Sequence, residues 1–175
     1  MKKALVVVDM QNDFITGALA NEEGQKIVSK IAKYIEDFEG DVIATMDTHG
    51  EDYSETQEGR KLPVPHCIKG TDGHRIVPEI ADALLQKGLR GNGVVYTLPK
   101  PTFGSTELYK FLYGADEIEF VGVCTDICVI SNAMITKAFF PEATIKVHAG
   151  LCAGVTPESH ENALKAMAAC QIEIV

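Results

Sequence analysis

Short apolar runs alternate along this chain with longer stretches in which apolar residues recur every three or four positions. Ala4 to Val8 is a continuous run rich in β-branched residues, as expected for a strand buried on both faces. Ile27, Ile31, Ile35 and Phe38 then repeat at helical spacing until Gly40 supplies a stop. Val42 to Met46 predicts a second strand, and Pro78 opens a helix carrying Ile80, Ala83 and Leu84 that ends before Gly88. Val94 to Leu98, Ile118 to Val123 and Thr144 to Val147 read as further strands. Between them, Ser105 caps a short helix with Leu108, Phe111 and Leu112 inside, and Ile127 to Phe140 reads as a buried helix. Thr156-Pro157 starts a last helix around Leu164 and Met167, and Ile172 to Val175 closes as an edge strand. Such alternation predicts an α/β fold, a mostly parallel sheet with helices on both faces, because parallel neighbours need right-handed crossovers. No repeat, low-complexity tract or linker divides residues 1–175, so one domain is expected.

Charge and cysteine content narrow the class. The chain has 175 residues and a net charge of −9 with no cluster of basic residues, which weighs against nucleic acid and anionic membrane as partners. Its longest apolar runs are strand-sized, too short for a bilayer, and the run after Met1-Lys2-Lys3 meets Asp9 too soon for an export signal. Five cysteines without a C-x-x-C pair then read as reduced thiols of a cytoplasmic protein.

In open parallel sheets the ligand crevice lies outside the carboxyl ends of the strands. Asp9 follows the first strand, Asp47 and His49 the second, Lys100 the third, and Cys124 and Cys128 the fourth. Each has an ordinary reading alone: a turn-forming carboxylate, a solvated lysine between two prolines, cysteines filling the core. Together Asp9, Lys100 and Cys128 make chemical sense. A thiol needs a base to become a nucleophile, a carboxylate can take its proton and return it to a leaving amine, and a lysine stabilises both anions. Cys128 near a helix start is placed to gain thiolate character and to bind an oxyanion through backbone N–H groups. The polar stretch from Asp47 to Gly73 is long enough to be functional, and within it Asp47-x-His49 with His66 forms either an open three-ligand divalent cation site or a hydrogen-bonded loop cluster. His74 and His148 are weaker candidates, and His160 reads as structural or as a surface residue.

Val6-Val7-Val8-Asp9-Met10-Gln11-Asn12-Asp13-Phe14, the lysine of Leu98-Pro99-Lys100, and Gly122-Val123-Cys124-Thr125-Asp126-Ile127-Cys128-Val129 resemble the three signature segments of the isochorismatase-like cysteine hydrolases. Thr156 to Leu164 is also similar to that family, so the resemblance spans nearly the whole chain. It implies a three-layer α/β/α fold with a six-stranded sheet, and an Asp9–Lys100–Cys128 triad that hydrolyses an amide through a thioester acyl-enzyme. It also implies an oxyanion hole from the backbone N–H groups of Cys124 and Cys128, with a cis peptide between Val123 and Cys124. Asp47, His49 and His66 resemble the metal site of the nicotinamidases within that superfamily, which implies zinc, or iron or manganese, holding the substrate's pyridine nitrogen. Cys128 speaks against the vinyl-ether chemistry of true isochorismatases, whose proteins lack this thiol.

The activity implied is a metal-dependent nicotinamidase, releasing ammonia from nicotinamide for NAD salvage; the alternative is hydrolysis of another small amide, carbamoyl or ureido compound. The expected partner is a small-molecule amide, with neither nucleic acid nor membrane, and a homo-oligomer is expected as in family members. One departure stands out. Nicotinamidases commonly place a tryptophan just before the segment matching Pro65-His66-Cys67, but this chain has none and offers Leu62-Pro63-Val64, leaving Phe14 as the aromatic wall of the substrate site.

Overall fold

The computed structural model describes residues 1–175. In chain order its elements are β1 (Lys3–Val8), α1 (Asn12–Ile15), α2 (Glu22–Asp37), β2 (Asp41–Asp47), α3 (Gln57–Lys61), α4 (Pro78–Arg90), β3 (Val95–Lys100), α5 (Tyr109–Leu112), β4 (Glu117–Val123), α6 (Ile130–Phe139), β5 (Thr144–Ala153), α7 (Pro157–Ala169) and β6 (Glu173–Ile174). The six strands form one sheet in the order β3-β2-β1-β4-β5-β6, and every neighbouring pair is parallel. Numbering runs outward in both directions from β1 and β4, so the topological switch point lies between them.

Alternation along the strands explains the layers. Leu5 and Val7 of β1, with Val42, Ala44, Val121 and Val123, face Ile27, Ile31 and Ile35 of α2 and Ile80 and Leu84 of α4. Ala4, Val6 and Val8, with Ile43, Phe120 and Val147, face Leu112 of α5, Ala133 of α6 and Leu164 and Met167 of α7. The sheet is thus covered on both sides, as the fold class requires. No helix is long and apolar enough to cross a membrane.

Several boundaries differ from those predicted, each for a local reason. The fourth helix runs through Gly88 and stops at Gly91, whose positive φ of 69° forms the left-handed cap. β5 extends to Ala153, beyond the predicted Val147, and β6 is only two residues long. Ser105 does not cap α5; its hydroxyl accepts from Glu107 N–H ahead of the helix. The predicted helix from Ile127 begins as a π-turn over Thr125–Val129 before α6 takes over. At Gly122, where φ is 117°, β4 passes so close to β1 that a Cβ would lie 2.2 Å from the Val8 carbonyl oxygen.

Candidate active site

The carboxyl ends of β1, β2, β3 and β4 converge on one crevice beside the switch point. β1 ends in Asp9, whose φ of 49° turns the chain sharply out of the sheet; aspartate is among the few residues that adopt this conformation at small cost. Thr45 Oγ1 donates to Asp9 Oδ1 at 2.7 Å and fixes the carboxylate. Asp47 and Lys100 end β2 and β3 as directly paired residues. The Lys100 ammonium, with no exposed side-chain surface, lies 2.6 Å from Asp9 Oδ2 and 3.5 Å from Asp47 Oδ1. It also donates to the Thr102 carbonyl at 3.0 Å and to Cys128 Sγ at 3.7 Å. The structure therefore brings Asp9, Lys100 and Cys128 into one buried cluster.

Burial decides the protonation pattern. It lowers the Lys100 ammonium, but the negative charges of Asp9 and Asp47 outweigh that cost and keep it firmly protonated. Burial raises Asp9, opposed by Lys100 and reinforced by Asp47. The Cys128 thiol is pushed well above its ordinary value, first by burial and then by the charge of Asp9, with which it hydrogen-bonds; Lys100 offsets only part of this. A helix start alone favours thiolate, as its place in the sequence predicts, whereas here desolvation and two adjacent carboxylates outweigh that field. Burial and the Asp9 charge thus favour the protonated thiol at Cys128.

Cys128 lies on the π-turn that follows the Val123–Cys124 peptide, which is cis. The Cys124 carbonyl accepts from Ile127 N–H and Val129 N–H, while the Cys124 N–H donates to no group of the protein. That free donor stands at the start of the same turn that carries Cys128. Burial, reinforced by the Asp126 charge, pushes the Cys124 thiol itself up to about 12.

Asp47 links this cluster to a second one. Its Oδ1 faces Lys100, while its Oδ2 lies 2.9 Å from His49 Nε2 and 3.4 Å from His66 Nε2. Glu58 Oε1 completes the set, at 3.6 Å from His49 and 3.7 Å from His66, and the four ligand atoms all lie within 4.8 Å of one another. Burial raises the Asp47 carboxyl, but hydrogen bonds from both imidazoles, with Lys100 nearby, hold it well below the usual range. The His66 Nδ1 hydrogen-bonds the Val64 carbonyl at 2.8 Å, which turns Nε2 toward the carboxylates. Two imidazoles and two carboxylates converging, with the outer atoms of His66 and Asp47 tied back, match the donor chemistry of a divalent transition-metal site.

Glu58 escapes a reading of spacing because its five-residue helix α3 is too short to leave a period. The available signal is Thr56, whose side chain accepts from Gly59 N–H and caps that helix. Gln11 also goes unnoticed in the sequence. Fully buried, it donates to the carbonyls of Asp47 and His74 and accepts from Asp47 N–H at 2.7 Å, pinning the segment after β1 to the end of β2.

Both clusters open into one cavity of about 840 Å³, lined by Cys128, Cys124 and His66 together with Phe14, Leu62 and Phe103. The Phe14 ring packs 5.5 Å from that of His66, so an aromatic face lies beside the four-residue cluster. Leu62 stands on the wall where the sequence lacks tryptophan, 39% exposed. His74 lies outside the four-residue cluster, bonded to Thr48; His148 pairs with Glu119 on the sheet, and His160 pairs with Thr125.

Known proteins share this fold. Residues 3–175 match the isochorismatase domain. The nicotinamidase/pyrazinamidase of Mycobacterium tuberculosis is 31% identical over 185 aligned residues, spanning 99% of this chain and 98% of that protein. The crystal structure of the nicotinamidase/pyrazinamidase from Bacillus subtilis aligns with a TM-score of 0.81 at 28% identity over the full length of both chains. That of Pyrococcus horikoshii pyrazinamidase in complex with zinc gives 0.77 at 30% identity, covering 100% of this chain and 99% of the other. With a domain match over almost its whole length and a parallel sheet carrying acid, lysine and thiol at its strand ends, this chain belongs to the isochorismatase family.

Proposed function

We propose that this protein, acting as one domain over residues 1–175, is a metal-dependent nicotinamidase that converts nicotinamide to nicotinic acid and ammonia. The observation that carries the reading is the single cavity in which a buried thiol, its lysine and carboxylate partners and a four-ligand cation cluster lie side by side. Relatives with this framework are named for nicotinamide and pyrazinamide hydrolysis. Both compounds are heteroaromatic amides, and Phe14 offers such a ring an apolar face next to the cluster.

In this mechanism Asp47, His49, Glu58 and His66 would hold a divalent cation, zinc or else iron or manganese, which would supply a Lewis acid for the ring nitrogen. The chain's own residues perform the acyl transfer. Asp9 takes the proton of Cys128 as Sγ forms a bond to the amide carbon, and Lys100 stabilises the carboxylate before the transfer and the sulfur during it. The backbone N–H groups of Cys124 and Cys128 receive the carbonyl oxygen as it gains charge. Asp9 then delivers the proton to the leaving nitrogen, the carbon–nitrogen bond breaks, and ammonia departs from a thioester. Asp9 next accepts a proton from water as its oxygen attacks the thioester carbon; the sulfur leaves, recovers that proton, and the acid is released.

Leu62 in place of an aromatic wall favours one second reading, in which the same residues hydrolyse another small amide. The test is ammonia release from nicotinamide by zinc-loaded protein, with Cys128→Ala and His49→Ala alongside. Turnover by the wild type and its loss in both variants is the expected result. An inert wild type that releases ammonia from another amide would reject nicotinamide and retain the hydrolase.

A further inference from the structure

The segment between β5 and α7 packs against the π-turn that carries the thiol. Val155 N–H donates to Asp126 Oδ1 at 3.0 Å, and Asn21 Nδ2 donates to the Gly154 carbonyl at 2.8 Å. A third contact reaches deeper: His160 Nδ1 lies 2.8 Å from Thr125 Oγ1. Thr125 is fully buried, its hydroxyl has this single partner, and it is the first residue of the turn, between Cys124 and Cys128. Its rotamer, and through it the entry of the chain into the turn, is therefore set by where the imidazole stands.

The backbone that carries the imidazole is itself held in place. The His160 backbone N–H donates to the Thr156 carbonyl at 3.0 Å, and Thr156 and Ser159 close a capping box that fixes the start of α7. Gly154 permits the approach, because a Cβ there would lie 2.9 Å from the Cα, Cβ and N of His160. Neither Thr125 nor His160 lines the large cavity, so the pair acts at one remove from substrate.

We infer that His160 is a positioning residue for acyl transfer: through Thr125 it holds the turn that presents the Cys128 thiol and the Cys124 N–H. The inference rests on the reading of Cys128 as nucleophile. Without the bond the turn relaxes, and Sγ leaves its 3.7 Å station beside Lys100 Nζ. A displacement of about 1 Å in a reacting group can cost roughly 10²-fold in rate.

The test compares zinc-loaded wild type with Thr125→Val, His160→Leu, the double variant and His160→Asn, whose amide can occupy the position of Nδ1. Two rates are read: alkylation of Cys128 by iodoacetamide, followed on the Cys128 peptide, and turnover of nicotinamide. Thr125→Val and His160→Leu are each expected to slow alkylation and lower kcat by about 10- to 100-fold while KM and zinc content hold. The double variant is expected to be no worse than either single, because both remove the same bond, and His160→Asn to regain most of the rate. If His160→Leu does not fold, Thr125→Val carries the comparison alone. Folded variants alkylated and turning over at wild-type rates, or losses that multiply in the double variant, overturn the positioning role. The alkylation pattern in a protein inert to nicotinamide supports that role and rejects the substrate, whereas turnover retained by Cys128→Ala removes the nucleophile and the role of His160 with it.

Discussion

Replacing Lys100 by methionine keeps the length of the stem and deletes the charge from the centre of the site. Its nitrogen lies 2.6 Å from Asp9 Oδ2 and 3.5 Å from Asp47 Oδ1. At an effective dielectric near 20 these distances correspond to attractions of about 6 and about 5 kcal/mol. Most of that attraction is offset by the cost of taking three ions out of water, so the cluster as a whole adds little to stability. Removing only the cation is different, because it strands buried carboxylates, and such deletions cost about 3–5 kcal/mol. For a chain of this size that lowers the melting temperature by roughly 6–20 °C. Asp9→Asn in the same protein should recover about half of the loss, since a neutral pair replaces a broken ionic one. Asparagine tolerates the φ of 49° at this position, and its Oδ1 can still accept from Thr45. The assay is urea unfolding of zinc-loaded Lys100→Met, Asp9→Asn/Lys100→Met and wild type, followed by circular dichroism. A Lys100→Met protein within about 1 kcal/mol of wild type, or a double variant less stable than the single, would refute the account of the buried cluster.

Glu58→Gln should weaken zinc binding by at least ~10-fold in competition with a chromophoric chelator, and unchanged affinity would remove Glu58 from the ligand set. On the sheet, burial raises Glu119, but hydrogen bonds from His148 and Tyr34 outweigh it and hold this carboxyl at about 2, against an ordinary 4.5. The stabilisation is complete above the unfolded value and is lost as pH falls toward the folded one. Wild type should therefore exceed Glu119→Gln by on the order of 2–3 kcal/mol at pH 6 and converge with it toward pH 2, as read from urea midpoints across pH. Parallel curves would show that the bonds do not depend on the charge. Ile31→Ala, which empties a fully buried position of α2, should cost about 2–5 kcal/mol in the same assay while leaving KM unchanged.

The site's outline is legible because parallel strands buried on both faces are almost wholly apolar, so a polar residue at a strand end stands out. Asp9 after Val8, Asp47 after Met46 and Lys100 after Leu98-Pro99 are visible for that reason. β5 is harder to delimit, because Lys146, His148 and Gly150 interrupt its apolar alternation before Leu151 and Cys152 resume it. The stop assigned to Gly88 fails because a glycine on the outer face of α4 meets almost nothing; a Cβ there would touch only Val95, at 3.9 Å. Glu58, Gln11 and the Tyr34–Glu119–His148 group are formed by side chains from segments distant in sequence, and spacing within one segment carries no trace of them. The raised Cys128 thiol is likewise a property of three dimensions, since it arises first from burial and then from carboxylates that end β1 and β2.

Gly122 contributes no atom to the chemistry, yet it governs the separation of the two strands that deliver the proposed base and nucleophile. Asp9 follows the Val8 that Gly122 abuts, and Cys124 begins two residues beyond it. An alanine methyl there would sit 2.2 Å from the Val8 carbonyl oxygen, more than an ångström inside ordinary contact, and β4 would have to swing away from β1 to admit it. The reach of the carboxylate to the sulfur is thus calibrated by a missing methyl group, and a variant scan confined to reactive side chains would pass over the position that gauges it.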